Sequence, residues 1–176
     1  MGGPKSYYPA IAALILGVCT TCFKVAASPE KPRQTEIDVK TALSELLTRG
    51  KVGALGGFVV FVGKAELDYV QYALEADGLM LNWPTKQKGG AARLPGVINV
   101  LRKSGFAERK PIGDHDPRRQ IDEMRKGQYI VFDDGLYAKA GKNVDELKSL
   151  TLALLKDVFG VTNENQISIT LELENN

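Results

Sequence analysis

Residues 66–83 read ELDYVQYALEADGLMLNW, and the fold turns on how this stretch is read. Apolar and aromatic residues run through Leu67–Leu74 and again through Leu79–Trp83, with Ala76-Asp77-Gly78 between them. Two extended runs joined by Asp-Gly predict a β-hairpin. In Glu66–Tyr72 both faces carry apolar or aromatic residues. One face therefore meets helices, and the other presents Tyr69 or Tyr72 outward.

Working outward, Phe58-Val59-Val60-Phe61-Val62 is continuously apolar, the mark of a strand covered on both faces. Upstream, Thr35 with Asp38 three residues on forms a capping-box pattern, and Ile37, Leu43, Leu46 and Leu47 make an apolar helical stripe that stops at Gly50. Gly53–Gly57 precedes a strand and reads as a turn. Downstream, a second helix is predicted over Leu94–Lys103, with Pro95 in its first turn and Gly105 at its end. Residues 107–127 carry both signs of charge and read as a loop with room for one helical turn. Gln128–Asp133 and Leu136–Lys139 form another hairpin across Asp133-Asp134-Gly135. Asn143 caps a third helix with Glu146 three residues later, and Val144, Leu147, Leu150, Leu154, Leu155 and Val158 recur at helical spacing up to Gly160. Ile167, Ile169, Leu171 and Leu173 then alternate with polar residues, as in a strand with one wet face.

The order α-β-β-β-α-β-β-α-β predicts an α+β fold, an antiparallel or mixed sheet with helices on one face. The 176 residues suffice for one such domain. The 23 basic and 21 acidic residues are unevenly placed, because Lys5 and Lys24 are the only charges in the first 27. Residues 28–176 are neutral as a whole, which excludes whole-domain attraction to nucleic acid.

Tyr7–Phe23 is a run of 17 residues without charge, which as a helix spans roughly 25 Å, the short end of what a bilayer needs. Residues 1–27 therefore read as an N-terminal anchor that attaches the chain to a membrane through residues 7–27. A cleaved signal ending at Ala27 and a buried core helix are the competing readings. The flanking charges do not fix the side of the membrane on which the body lies. Gly2 fits a myristoylation pattern with Ser6. Cys19 sits in a lipobox-like Leu16-Gly17-Val18-Cys19, although Val18 stands where a small residue is wanted. Residues 28–34 read as a linker and 35–176 as the folded domain.

The chain carries no nucleotide-binding glycine motif and no nucleophile elbow. His115 is flanked by Asp114 and Asp116, but neighbours in a loop do not converge on one ion, so a solvated turn is the simpler reading. Cys19-Thr20-Thr21-Cys22 lacks the further ligands a zinc site needs. No catalytic residue, metal or cofactor is expected. The cations around residues 102–126 are interleaved with acids and read as a solvated mixed-charge loop, with contact to anionic lipid the alternative. Tyr69, Tyr72 and Trp83 lie on neighbouring strands. Large amphipathic aromatics on an open sheet suit contact with a protein partner, and cross-strand packing is the competing explanation.

Tyr69-Val70-Gln71-Tyr72, Asp77-Gly78-Leu79-Met80-Leu81, Leu101 to Gly105-Phe106, and Leu155-Lys156-Asp157-Val158-Phe159-Gly160-Val161 occur in an order that resembles the TY-Chap domains. These are relatives of the YbjN proteins and of type III secretion chaperones. The likeness covers about residues 36–173. It implies a peptide-binding, chaperone-like module without enzymatic activity, with Tyr69, Gln71 and Tyr72 in its strand motif. The expected role is a membrane-tethered protein-interaction domain. The alternative is a structural accessory subunit of a larger membrane complex of respiratory, photosynthetic or secretion type.

Overall fold

The computed structural model describes residues 37–52, 57–65, 67–113 and 115–173. The expectations for residues 7–27, the linker at 28–34, Thr35 as a cap, the glycine turn at 53–56, and Gly2 and Cys19 as lipid acceptors lie outside the described residues.

The hairpin at residues 66–83 forms β2 (Tyr69–Glu75) and β3 (Gly78–Pro84), antiparallel with Tyr72 opposite Leu81. Gly78 adopts φ 138°, and a Cβ there would lie 2.5 Å from the Gly141 backbone, so only glycine fits the turn. β1 (Phe58–Val62) pairs antiparallel with β2, and β7 (Ser168–Glu172) pairs with β1. On the other side β3 meets β6 (Gly135–Gly141), followed by β5 (Gln128–Val131) and the two-residue β4 (Ala107–Glu108). β4 runs parallel to β5, so the seven-stranded sheet is mixed, in the order β4-β5-β6-β3-β2-β1-β7.

Among the described residues four α-helices accompany it: α1 (Val39–Arg49), α2 (Gly90–Lys103), α3 (Pro117–Asp122) and α4 (Val144–Phe159). The molecule is thus a mixed α+β fold. Val39, Ala42, Leu43 and Leu46 of α1 join Val97, Val100 and Leu101 of α2 and Leu147, Leu150, Leu154 and Leu155 of α4 in one core. Against them the sheet sets the cross-strand row Leu171, Val59, Tyr72, Leu81, Ala138, Tyr129. Asn143 caps α4 by accepting from the amides of Asp145 and Glu146.

Three departures from the sequence reading have local causes. α1 begins at Val39 because Asp38 is its cap, accepting from the Thr41 amide at 3.0 Å and the Thr41 hydroxyl at 2.8 Å. α2 begins at Gly90, which places Pro95 inside the helix; the missing donor leaves only the carbonyl of exposed Ala91 to water. The 107–127 stretch holds β4 and α3. There Asp116 caps α3 through the Arg118 amide and Pro117 takes the first helical position.

α3 lies on the face opposite the three longer helices. Its Ile121 and the following Met124 are buried, as are Ile130 and Tyr137 on that side of the sheet. Lys139 on β6 fastens it there: the buried ammonium donates to the carbonyls of Asp122 (3.2 Å) and Met124 (2.9 Å) and pairs with Asp77 at 2.9 Å. Replacing Lys139 with methionine keeps the stem but strands these acceptors, at a cost of about 1–3 kcal/mol. Urea unfolding measures that loss, and limited proteolysis should cut residues 117–127 sooner in Lys139→Met than in the parent.

Candidate functional site

Two-residue alternation in β2 sorts the residues expected to meet a partner. Val70, Tyr72 and Leu74 face the helices; Tyr69, Gln71 and Ala73 face away. Tyr72 is 0% exposed. Its hydroxyl lies 3.1 Å from that of Thr151 on α4, and Thr151 also donates to the Leu147 carbonyl at 2.8 Å, which leaves Tyr72 as donor of the shared bond. Burial holds its phenol far above the ordinary range. Trp83, 5% exposed, donates its indole N–H to the Gly90 carbonyl at 3.1 Å and stacks on Phe159 with centroids 5.6 Å apart. Gly90 makes that approach possible, since a Cβ there would meet the Pro84 carbonyl at 2.2 Å. Tyr72 and Trp83 are core residues on the helix side; of the expected contact residues Tyr69 and Gln71 lie on the opposite face, Tyr69 half-buried and Gln71 buried.

Tyr69 is half-buried at the start of β2, with its hydroxyl on the Gln87 side-chain oxygen, and burial raises its phenol. The cleft beside it, between Leu67, Pro84, Gln87 and Arg93, holds about 10 Å³, the lower limit for one water. Arg93 pairs with Asp68 at 2.7 Å and lies 4.8 Å from the Phe159 ring centroid. Asp68 is compensated in charge, although its Oδ1 lacks a well-directed hydrogen bond.

Gln71 differs from all of these. It is 4% exposed, and its side-chain Nε2 has no hydrogen-bond partner. It stands midway along the outward row Thr170, Val60, Gln71, Asn82, Tyr137, Ile130. Asn82, absent from the sequence-based candidates, is its direct neighbour across the hairpin. The pairing register after Asp77-Gly78 is the signal that could have found it. Among the described residues the six-residue α3 is the helix on this face, and it covers the β5–β6 end. Of this row Thr170 is exposed and Asn82 half-buried, whereas Val60, Gln71, Tyr137 and Ile130 are buried.

A second concavity of about 380 Å³ lies between α1, the β2–β3 turn and the start of α4, walled by Leu47, Thr48, Val52, Leu74, Lys142 and Val144. Glu75 is at its rim, and burial, reinforced by Asp122, raises its carboxyl. Lys142 is turned to the Ala76 carbonyl at 3.3 Å. His115 is exposed, and among the described residues no three His, Cys, Asp or Glu side chains gather where they could hold a metal ion.

The fold and this row define an α+β sheet domain with its long helices on one side and, on the other, a mixed row that holds the unpartnered Gln71 Nε2. Comparison with protein-family models, curated proteins and solved structures finds no match to this chain.

Tyr72→Phe removes one buried hydrogen bond and should lower stability by about 0.5–1.5 kcal/mol, whereas Trp83→Ala should cost about 3–5 kcal/mol by opening a cavity; chemical denaturation reads both. Glu75 holds its proton more tightly folded than unfolded, so its contribution to stability is present at low pH and declines as pH rises above the ordinary carboxylate range. Glu75→Gln should therefore melt higher than the parent at pH 7, with the difference closing below about pH 4.

Proposed function

We propose that the chain is a non-enzymatic protein-interaction domain, chaperone-like in that it binds extended polypeptide segments along the outward row at Tyr69 and Gln71. The observation that carries this reading is the buried, unpartnered Gln71 amide. Leaving such a donor unpaired costs about 1–3 kcal/mol, and native proteins leave few of them. A bound main-chain carbonyl would supply the acceptor, and Asn82 and Tyr69 would supply further polar contacts beside it. The resemblance of Tyr69-Val70-Gln71-Tyr72 to the TY-Chap and YbjN strand motif supports the same reading.

Residues 7–27 tether this domain to a membrane in the proposal. Their uncharged stretch is the support, and no helix among the described residues is long and apolar enough to cross one. The same stretch favours a second reading, a structural accessory subunit of a membrane complex, which predicts stoichiometric co-purification with other subunits in mild detergent.

The test uses the full chain in mild detergent against a random-sequence peptide library, with affinities read by fluorescence polarisation. Gln71→Met should be at least as stable as the parent, because the unpaired donor is gone. It should nevertheless bind selected peptides about three- to tenfold more weakly. A chain that captures no peptide, or a Gln71→Met variant that binds undiminished, ends the proposal.

A further inference from the structure

Between β4 and α3 the chain runs Arg109-Lys110-Pro111-Ile112-Gly113. Ile112 is 48% exposed, one of three large apolar side chains exposed among the described residues. It is held in that position. The buried Gln120 of α3 accepts from the Ile112 amide at 2.7 Å and donates to the His115 carbonyl at 2.9 Å. The His115 amide in turn donates to the Ile112 carbonyl at 3.1 Å. A buried side-chain amide thus fixes a loop whose tip points an isoleucine at solvent.

Cations flank the tip in the sequence. Segment 109–119 carries Arg109, Lys110, Arg118 and Arg119 against Asp114 and Asp116. Asp116 is engaged as the cap of α3. Arg109 and Arg119 share the carboxylate of Glu123, at 2.9 and 3.1 Å, so that trio retains positive charge. Lys110 and Arg118 form no ion pair within 4.0 Å among the described residues. Of the described acids here, Asp116 and Glu123 are thus engaged by the α3 amide and by two arginines.

We propose that this loop docks on an anionic bilayer surface, with Ile112 entering the boundary between headgroups and acyl chains and Lys110 and Arg118 meeting anionic headgroups. Lipid is the occupant that charge favours. The domain is neutral as a whole, whereas segment 109–119, with four basic and two acidic residues, is locally net-positive, and an apolar point flanked by cations is the pattern of an interfacial contact. One such tip is a reversible contact, which each cation strengthens roughly fivefold near an anionic surface. The proposal is independent of peptide binding at Gln71.

The test places a reporter at the tip. Full-length protein carrying Ile112→Trp is mixed with vesicles of brominated neutral lipid, or of the same lipid with brominated phosphatidylglycerol, and bound protein is collected by sedimentation. Buried Trp83 is the internal reference. On anionic vesicles the introduced indole should shift to the blue and be quenched. Both effects should be lost on neutral vesicles, in about 1 M salt, where the Debye length falls to about 3 Å, and in the Lys110→Glu/Arg118→Glu variant. Sedimentation with neutral vesicles separately reads the tether at residues 7–27. If the chain stays off neutral vesicles the tether fails, and quenching on anionic ones still decides the loop. An introduced indole that remains unquenched with anionic vesicles, whether or not the chain sediments with them, overturns the proposal.

Discussion

The strict alternation of side chains along β2 is the constraint on which the rest of this molecule depends. Helices α1, α2 and α4 need one apolar sheet face, and Val70, Tyr72 and Leu74 supply its centre. Once those three point inward, Tyr69, Gln71 and Ala73 must point outward, because a shift of one residue would exchange the two sets. Pairing then extends the choice across the sheet. Leu81 and Ala138 follow Tyr72 inward, and Asn82 and Tyr137 follow Gln71 outward. The mixed outward row is thus a consequence of how the core is made.

Polar groups on the two faces are treated differently, and the contrast gives Gln71 its meaning. Inside, Tyr72 and Thr151 satisfy each other, and the Thr151 proton goes to the Leu147 carbonyl. Outside, Lys139 has three acceptors and holds α3 against the sheet. Gln120 is likewise engaged, with Ile112 and His115. Every one of these groups stabilises a contact between elements. The Gln71 Nε2 is as buried as they are and fastens nothing, so its retention costs stability without a structural return.

Much of the architecture was legible in the residues. Continuous apolarity announced β1, the Asp-Gly turn announced the β2–β3 hairpin, and Asn143 with the Leu147–Val158 periodicity announced α4. The parts that were not legible are those fixed from a distance. Gly89-Gly90 offers no side-chain cap, and the first turn of α2 is held by the Trp83 indole on the Gly90 carbonyl. β4 is two exposed residues with no pattern, aligned by bonds such as Arg109 N–H to the Tyr129 carbonyl. Both faces of β2 carry aromatics, so the sequence could not say whether Tyr69 or Tyr72 turned outward. Thr151, 79 residues further on, resolves it. Trp83 looked equally available for contact until Phe159 covered its ring.

Electrostatics teaches the same lesson at the surface. Counting charges along residues 102–126 suggests mutual cancellation, but cancellation depends on which acids are free to take part. Glu108 is held by Arg102 and Tyr129, and Glu123 by two arginines that keep its carboxyl below the usual range. Neither carboxylate forms an ion pair with Lys110 or Arg118, and these two cations act only at longer range, on Glu108 and Glu75 respectively. Ion pairs at an exposed edge add little to stability. Their larger effect here is to decide which cations are left without an ion pair among the described residues, and one of these, Lys110, stands two residues before the Ile112 that the buried Gln120 holds.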